Sequence, residues 1–208
     1  MKRSEIAAAR LLVALADDPT ELPKAVQDAA KLSLADGKPS VEYSDRAKKL
    51  AEELRAKAQR NIDLLEAVKP CDECGFELWN PIVAEKLEVT DLSLYDDARF
   101  PGRCILRLRK HEERLEQLDS VTATAFMADI QRAVRALSTV TGADRINVAI
   151  LGNTVPHLHA HLIPRYPAQE KRPMNSPWDD PRPKTALPDE LKRRLMSEIE
   201  QALRSDRA

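Results

Sequence analysis

The segment Asn147–Arg165 constrains the fold and chemistry of this chain most, because three of the four histidines lie in it at alternate positions. His157, His159 and His161 are separated by single apolar residues. In an extended strand alternate side chains leave on the same face, so this spacing predicts a row of imidazoles on one surface of a sheet. Packing gives no reason to repeat imidazole where Val or Thr would serve, and imidazole titrates near neutral pH. The row therefore indicates catalysis.

A metal site is the alternative interpretation of this row, since neutral imidazole is a common zinc ligand. At a rise of about 3.3 Å per residue, the outer two imidazoles of a regular strand are roughly 13 Å apart. They could not share one ion without a bend in the strand. We therefore expect no metal at the three histidines.

The turn that precedes the histidines has the composition of an anion-binding loop. Gly152 and Asn153 tolerate positive φ, which lets backbone N–H groups approach an anion. Thr154 adds a hydroxyl donor. Amides and a hydroxyl beside a row of imidazoles predict a cradle for a phosphate group.

These motifs resemble those of the histidine triad (HIT) superfamily. PHLHAHLI matches its alternating histidine pattern, and LGN-x-x-PHLHAHLIPRY is similar to its diadenosine polyphosphate hydrolase branch. The upstream segment LYDDARFPGRCILRLRKHEERLEQL is similar to the first strand pair of that branch. The resemblance extends from about Cys71 to Trp178. It implies an α+β fold with a HIT-like antiparallel sheet and a long packed helix.

The resemblance implies a nucleophilic mechanism in which each histidine of the triad has its own role. His159 would attack the α-phosphorus of a nucleotide and form a nucleotidyl-histidine intermediate. His161 would donate to the phosphate and the leaving group, with Thr154 assisting. His157 would organise the pocket through hydrogen bonds.

The resemblance also implies a set of substrate-binding residues. An acidic residue, Asp97 or its neighbour Asp96, would receive the ribose hydroxyls. Asn147 and Asn153 would contact phosphate or sugar, and His111 would lie at the pocket rim or behind the residues that touch substrate. Asn153 stands where many HIT proteins have Gln, which shortens the reach of that amide.

The order of periodic segments independently predicts an α+β fold, because strand, strand, helix, strand, strand is typical of an antiparallel sheet with a helix on one face. We divide the chain into a helical extension, a HIT-like catalytic domain and a C-terminal helix, at residues 1–70, 71–187 and 188–208. The elements expected are strands at Leu87–Leu94, Cys104–Arg109 and Ile146–Leu151, a helix from Asp119 or Ser120 to about Gly142, and helices after Ser4, Pro23 and Ser44.

Two segments have open interpretations. The apolar faces of the N-terminal helices would pack on the catalytic domain, form a dimer surface or bind a partner, and we expect intramolecular packing. The proline-rich segment after Tyr166 cannot form a regular helix or a central strand. Its Trp178 would either stack on a base or anchor the segment in the core.

Composition excludes several classes of protein. With 33 basic and 34 acidic residues, the chain has no electrostatic basis for bulk nucleic-acid binding. No run of ~18 apolar residues predicts a membrane span, and the N-terminal apolar run is interrupted as in an amphipathic helix. We expect a cytoplasmic protein with reduced thiols.

Cys71 and Cys74 are expected to be an incidental pair rather than a zinc site, because only Cys104 and His111 remain as ligands outside the triad.

The sequence thus predicts a nucleotide hydrolase that acts on dinucleoside polyphosphates or related nucleotidyl compounds. The alternatives are a phosphoramidate hydrolase or nucleotidyltransferase of the same fold, and a non-catalytic nucleotide-binding regulatory module. No cofactor is required by the nucleophilic step, although divalent ions can accompany a polyphosphate substrate. The expected partners are a nucleotide and, since HIT proteins are often dimers, a second copy of the chain.

Overall fold

The computed structural model of the chain comprises two compact units, Met1–Val68 and Lys69–Ala208. The residues that the structure describes are 12–13, 16, 22–32, 52–62, 69–84 and 87–205. No helix in these ranges has both the length and the apolar content needed to cross a bilayer.

The first unit is helical wherever it is described at length. Helix α1, Lys24–Leu32, follows Pro23 as expected, and residues 52–62 are also helical. Val13 and Ile62 are buried together, and Leu22 and Val26 pack against them. Most of the helix expected after Ser4 and the beginning of the one expected after Ser44 lie outside the described residues.

The second unit is a five-stranded antiparallel sheet with two helices, which confirms the predicted α+β class. Its strands, in the spatial order β1-β2-β3-β5-β4, pair antiparallel throughout. The elements are β1 Pro81–Ile82, β2 Thr90–Leu94, β3 Cys104–Leu108, α2 Ser120–Thr141, β4 Arg145–Ala149, β5 His159–Arg165 and α3 Asp189–Ser205.

Helices α2 and α3 cover one face of the sheet, and the core lies between the two layers. Leu106 of β3 and Leu162 of β5 are fully buried and belong to one cluster with Phe126 of α2 and Ile199 of α3. Because strand side chains alternate, Arg107 and the β5 histidines at 159 and 161 leave on the opposite face. Helices α2 and α3 therefore cover the face opposite to the one that carries His159 and His161.

Local capping defines the ends of α2. Asp119 is its N-cap and accepts hydrogen bonds from the backbone N–H groups of Val121 and Thr122, while Gly142 ends it with a left-handed φ of 59°. These bounds agree with the expected helix. Short polar side chains satisfy the free N–H groups of a first turn, and Gly adopts the left-handed conformation without steric cost.

Strand β2 is shorter than predicted because a buried carboxylate takes its first hydrogen bonds. Asp129 of α2 accepts from the backbone N–H groups of Glu88 and Val89 at 2.9 and 3.0 Å, and from the Thr90 hydroxyl at 2.8 Å. The strand ladder therefore starts at Thr90 rather than at Leu87.

One arginine fastens the proline-rich segment to the sheet. Nε of Arg165 donates to both carboxylate oxygens of Glu170 at 3.0 and 2.9 Å, and Nη2 donates to the carbonyls of Pro173 and Asn175, each at 3.1 Å. Apart from a 3₁₀ turn at Pro177–Asp179, the segment is irregular. It returns past the sheet before α3 begins.

Replacing Gly102 with Ala is expected to lower the free energy of unfolding by about 2–4 kcal/mol. Gly102 has φ +86°, and a Cβ there would lie 2.5 Å from Cγ2 of Thr141, the last residue of α2. Chemical denaturation of the wild type and variant measures the change.

Gly142→Ala is the matched control, because Gly142 also has positive φ (+59°) but a Cβ would meet nothing within 4 Å. It should lose only about 1 kcal/mol. Equal losses in the two variants would mean that the contact with Thr141 is unimportant.

Candidate active site

The sheet face opposite the helices carries the histidines, although the three do not form one regular row. His159 and His161 lie on β5 with ring centroids 5.1 Å apart, whereas His157 precedes the strand. The Phe76 ring packs 5.6 Å from His157 and 5.1 Å from His159. His157 and His159 are buried, with 1% and 6% of their surface exposed, so water has little access to either ring.

The backbone orients the His159 ring. Its Nδ1 lies 2.6 Å from the carbonyl oxygen of His157 and donates to it, since the carbonyl can only accept. The hydrogen is thereby held on Nδ1, and Nε2 keeps a free lone pair. No group in the described part of the chain is hydrogen-bonded to Nε2. This is the arrangement that a nucleophilic imidazole needs.

A cavity of about 500 Å³ adjoins His159, and the predicted turn forms part of its wall. Gly152 and Asn153 line it, and Gly152 has φ +68° as the sequence suggested. Glu113, Arg114 and Glu116 contribute charged groups to the same wall, where Arg114 pairs with Glu116 at 3.1 Å. Thr154 is exposed and does not line this cavity.

A second cavity of about 520 Å³ lies near His161, across the sheet from the first. Ile105, which pairs directly with His161, forms its floor, and Phe76, Trp79 and Tyr95 are among its walls. Aromatic and aliphatic walls with a few polar groups suit a planar organic ring. The face thus presents two recesses with the histidines between them.

His161 is held by an arginine. Nη2 of Arg103 lies 3.4 Å from Nδ1 of His161, and the Trp178 ring meets His161 edge-on with centroids 5.6 Å apart. Burial, followed by the charges of Arg103 and His159, lowers the pKa of His161 to about 4. Its ring is therefore neutral at physiological pH. Trp178 is 46% exposed, so it neither anchors the core nor is sequestered from a ligand.

The structure gives Asp97 a different role from the predicted ribose contact. Its side chain is fully buried, and it forms ion pairs with Arg99 at 2.8 Å and Arg103 at 3.1 Å. Burial raises the pKa of Asp97, but hydrogen bonds from Arg99 outweigh this effect and keep the pKa below its usual range. Its oxygens pair with the two arginines in the structure, and the ribose contact at Asp97 stays a prediction.

Two further predicted site residues are engaged elsewhere. Asp96, the alternative acid, accepts from the Leu187 backbone at 2.6 Å and pairs with Lys192 at 2.9 Å, which ties α3 to the sheet. Oδ1 of Asn147 accepts from Nη1 of Arg165 at 2.6 Å, so this amide helps to position the arginine that fastens the proline-rich segment.

The thiols of the C-x-x-C motif meet two histidines. Ligand atoms of Cys71, Cys74, His111 and His157 all lie within 4.8 Å of one another. Sγ of Cys71 is 3.5 Å from Nδ1 of His111, Sγ of Cys74 is 3.3 Å from Nδ1 of His157, and the two Nδ1 atoms are 3.4 Å apart. Tetrahedral zinc with bonds of about 2.3 Å to sulfur and 2.05 Å to nitrogen requires S···N of about 3.5 Å and N···N of about 3.3 Å. The donor set therefore fits zinc.

The orientation of His157 suits a metal ligand. Its Nε2 donates to the Leu108 carbonyl at 2.8 Å, which leaves the Nδ1 lone pair directed at the thiols. Metal-bound histidines usually donate their second nitrogen in this way. Burial lowers the pKa of His157, which favours the neutral ring that a metal needs.

His157 was not predicted as a partner of the thiols, because the resemblance assigned it to the triad alone. Cys104 and His111 were the ligands expected to remain, but Cys104 lies in the core on the other face of β3. The expectation that Cys71 and Cys74 lack a complete set of partners is wrong. The alternation of β5 could not reveal it, since His157 lies outside that strand.

Comparison with known proteins agrees with this architecture. Residues 85–168 match the family model of the HIT domain. A histidine triad protein from Bradyrhizobium japonicum is 27% identical with a TM-score of 0.54, and the match covers 60% of this chain and 91% of that one. A histidine triad protein from Marinobacter aquaeolei is 23% identical with a TM-score of 0.53, covering 60% and 90% of the two chains. No curated protein matches significantly.

The sheet with its two helices and the buried histidines on its open face define a HIT fold. Residues 85–168 match the HIT domain, and the chain is similar in fold to histidine triad proteins. This similarity is consistent with nucleotide binding or hydrolysis.

Proposed function

We propose that the chain is a nucleotide hydrolase that cleaves at the α-phosphate of dinucleoside polyphosphates or related nucleotidyl compounds. The observation that carries the proposal is the 2.6 Å hydrogen bond from Nδ1 of His159 to the His157 carbonyl, which leaves Nε2 as a free nucleophile. Nε2 attacks the α-phosphorus, and the nucleotidyl-histidine that forms is hydrolysed by water.

The two cavities on either side of the histidines support this assignment. The aromatic cavity at Tyr95 and Trp79 accepts the nucleoside, because flat apolar walls suit a base. The cavity at Gly152 and Asn153 accepts the leaving phosphates beside the nucleophile, and the turn contributes backbone N–H groups to it. His111 and Thr154, which the resemblance placed at the pocket, take no direct part in this arrangement.

We also propose a structural zinc ion at Cys71, Cys74, His111 and His157. Through these residues a bound ion would join the segment before β1 to the chain just after β3 and just before β5. It would hold His157 in place, and the carbonyl of His157 orients the nucleophile. These four side chains would fill a tetrahedral ion's coordination and leave no open position for substrate, so the ion would support the site rather than act on phosphate.

The proposed partners are a nucleotide, with divalent ions on its polyphosphate, and a second copy of the chain. Strand β4 lies at the edge of the sheet, and Val148 and Leu151 beside it are 44% and 49% exposed. An apolar edge strand is a template for pairing, which supports a homodimer along β4.

The function is tested with diadenosine tetraphosphate and with adenosine 5′-phosphoramidate, the substrate of the alternative hydrolase. We expect AMP release from the tetraphosphate and a transient protein adduct one AMP heavier, observed by rapid quenching and intact-protein mass spectrometry. Faster cleavage of the phosphoramidate would favour that alternative. Tight nucleotide binding without turnover would replace the hydrolase with a regulatory module.

A further inference from the structure

Asp97, Arg103 and His161 form a continuous chain of hydrogen bonds that ends at the third triad histidine. Asp97 accepts from Nη1 of Arg103 at 3.1 Å, and Nη2 of Arg103 reaches Nδ1 of His161 at 3.4 Å. We propose that Arg103, held by Asp97, is a positioning residue that fixes His161 with its hydrogen on Nε2 and limits the site to leaving groups that depart as anions. This inference rests on the function proposed above.

The tautomer follows from the chemistry of the two partners. A guanidinium group has only donors, so Nδ1 of His161 must accept the hydrogen bond from Arg103. The single hydrogen of the neutral ring is then on Nε2. No described residue is hydrogen-bonded to that nitrogen, so Nε2–H is available to a substrate oxygen.

Arg103 is too enclosed to bind phosphate itself. Only 4% of its surface is exposed, and its guanidinium lies over the Tyr95 ring at 4.2 Å and near the Trp178 ring at 5.6 Å. Its Nε has no hydrogen-bond partner among the described residues. Its Nη1 donates to Asp97 and its Nη2 donates to His161. The side chain thus acts through His161 rather than on substrate.

Asp97 holds Arg103 in place. Its buried carboxylate accepts hydrogen bonds from Nε and Nη2 of Arg99 at 2.9 and 2.8 Å, and one of its oxygens also accepts from Arg103. A fully buried carboxylate requires such partners, so the arrangement is rigid. Asp97, which the resemblance assigned to the ribose hydroxyls, therefore supports His161 through Arg103.

The bond changes explain the restriction on leaving groups. The Nε2–P bond from His159 forms while the bond from the α-phosphorus to the bridging oxygen breaks, and the electron pair leaves on that oxygen. A departing phosphate is stable as an anion and needs only a hydrogen bond from His161. A departing amine must gain a proton, and His161 could supply one only as an imidazolium.

The geometry opposes that imidazolium. A second proton would have to reside on Nδ1, which faces the donors of Arg103. The charged groups and rings around His161 are Arg103 just before β3, Tyr95 after β2, His159 on β5 and Trp178 of the proline-rich segment. None of them is an anion that would favour a positive ring. Phosphoanhydrides are therefore favoured over phosphoramidates.

The test combines ring nitrogen NMR with a ratio of substrates in the full-length protein. Long-range ¹H–¹⁵N spectra of the wild type should show His161 protonated at Nε2 and bare at Nδ1. In Arg103→Met this single tautomer should be lost. The preference in kcat/KM for diadenosine tetraphosphate over adenosine 5′-phosphoramidate should also shrink by about tenfold or more, since His161 can then accept a proton.

Arg182→Met is the control for loss of a partly buried arginine, because Arg182 pairs with Asp180 at 2.9 Å and contacts neither Asp97 nor His161, and it should keep the wild-type tautomer and preference. Arg103→Lys retains a charged donor and should restore the Nε2–H form, also if Arg103→Met does not fold. A wild-type His161 with its hydrogen on Nδ1, or an unchanged tautomer and preference in Arg103→Met, would overturn the proposal. If the wild type cleaves neither substrate, the proposed function fails, while the NMR result still decides the role of Arg103.

Discussion

His159→Ala is expected to reduce kcat for diadenosine tetraphosphate by about 10⁴-fold or more, because no other group can take over the nucleophilic step. The Nε2 of His159 is the triad nitrogen whose lone pair the backbone keeps free. Nucleotide affinity should stay within about tenfold, or ~1.4 kcal/mol, since the cavity walls remain. Steady-state kinetics and isothermal titration calorimetry measure the two effects.

His161→Ala provides the comparison for this variant. It removes the donor to the leaving group and not the nucleophile, so turnover and the rate of adduct formation should both fall, while the AMP adduct that does form is still on His159. Peptide mapping of the quenched adduct locates it. Full activity of His159→Ala, or an adduct on another residue, would eliminate the proposed mechanism.

Cys74→Ser is expected to remove zinc from the purified protein and to lower the free energy of unfolding by about 3 kcal/mol or more. Zinc content is measured by elemental analysis and stability by denaturation. Activity should also fall, because His157, whose Nδ1 lies 3.3 Å from the Cys74 thiol, carries the carbonyl that orients His159. His157 thus belongs to both the proposed zinc site and the candidate active site.

Cys104→Ala is the control for loss of a thiol, since Cys104 is fully buried in the core and lies apart from the four ligand atoms. It should lose stability but retain one zinc per chain. The zinc site would be contradicted by two results together. The wild-type protein would contain no zinc after growth in zinc-supplemented medium, and Cys74→Ser would leave its stability unchanged.

The sequence alone determined the features that depend on local periodicity and capping. Alternation predicted that His159 and His161 share a face, and Asp119 and Gly142 bounded the long helix, because both depend on backbone geometry over a few residues. The Gly152–Asn153 turn was predicted for the same reason. The α+β class followed from the order of these elements.

Only the tertiary structure decided which polar groups meet across the fold. Cys74 and His157 are 83 positions apart, and Arg103 and His161 are 58 apart. Strand pairing and a loop that departs from the regular strand bring them together, and neither leaves a periodic signal. Asp97 is a further example, because its place in the motif implied a substrate contact, whereas the fold buries its carboxylate beside Arg99 and Arg103. A carboxylate's partners depend on which cations the folded chain buries with it, and local sequence does not encode that.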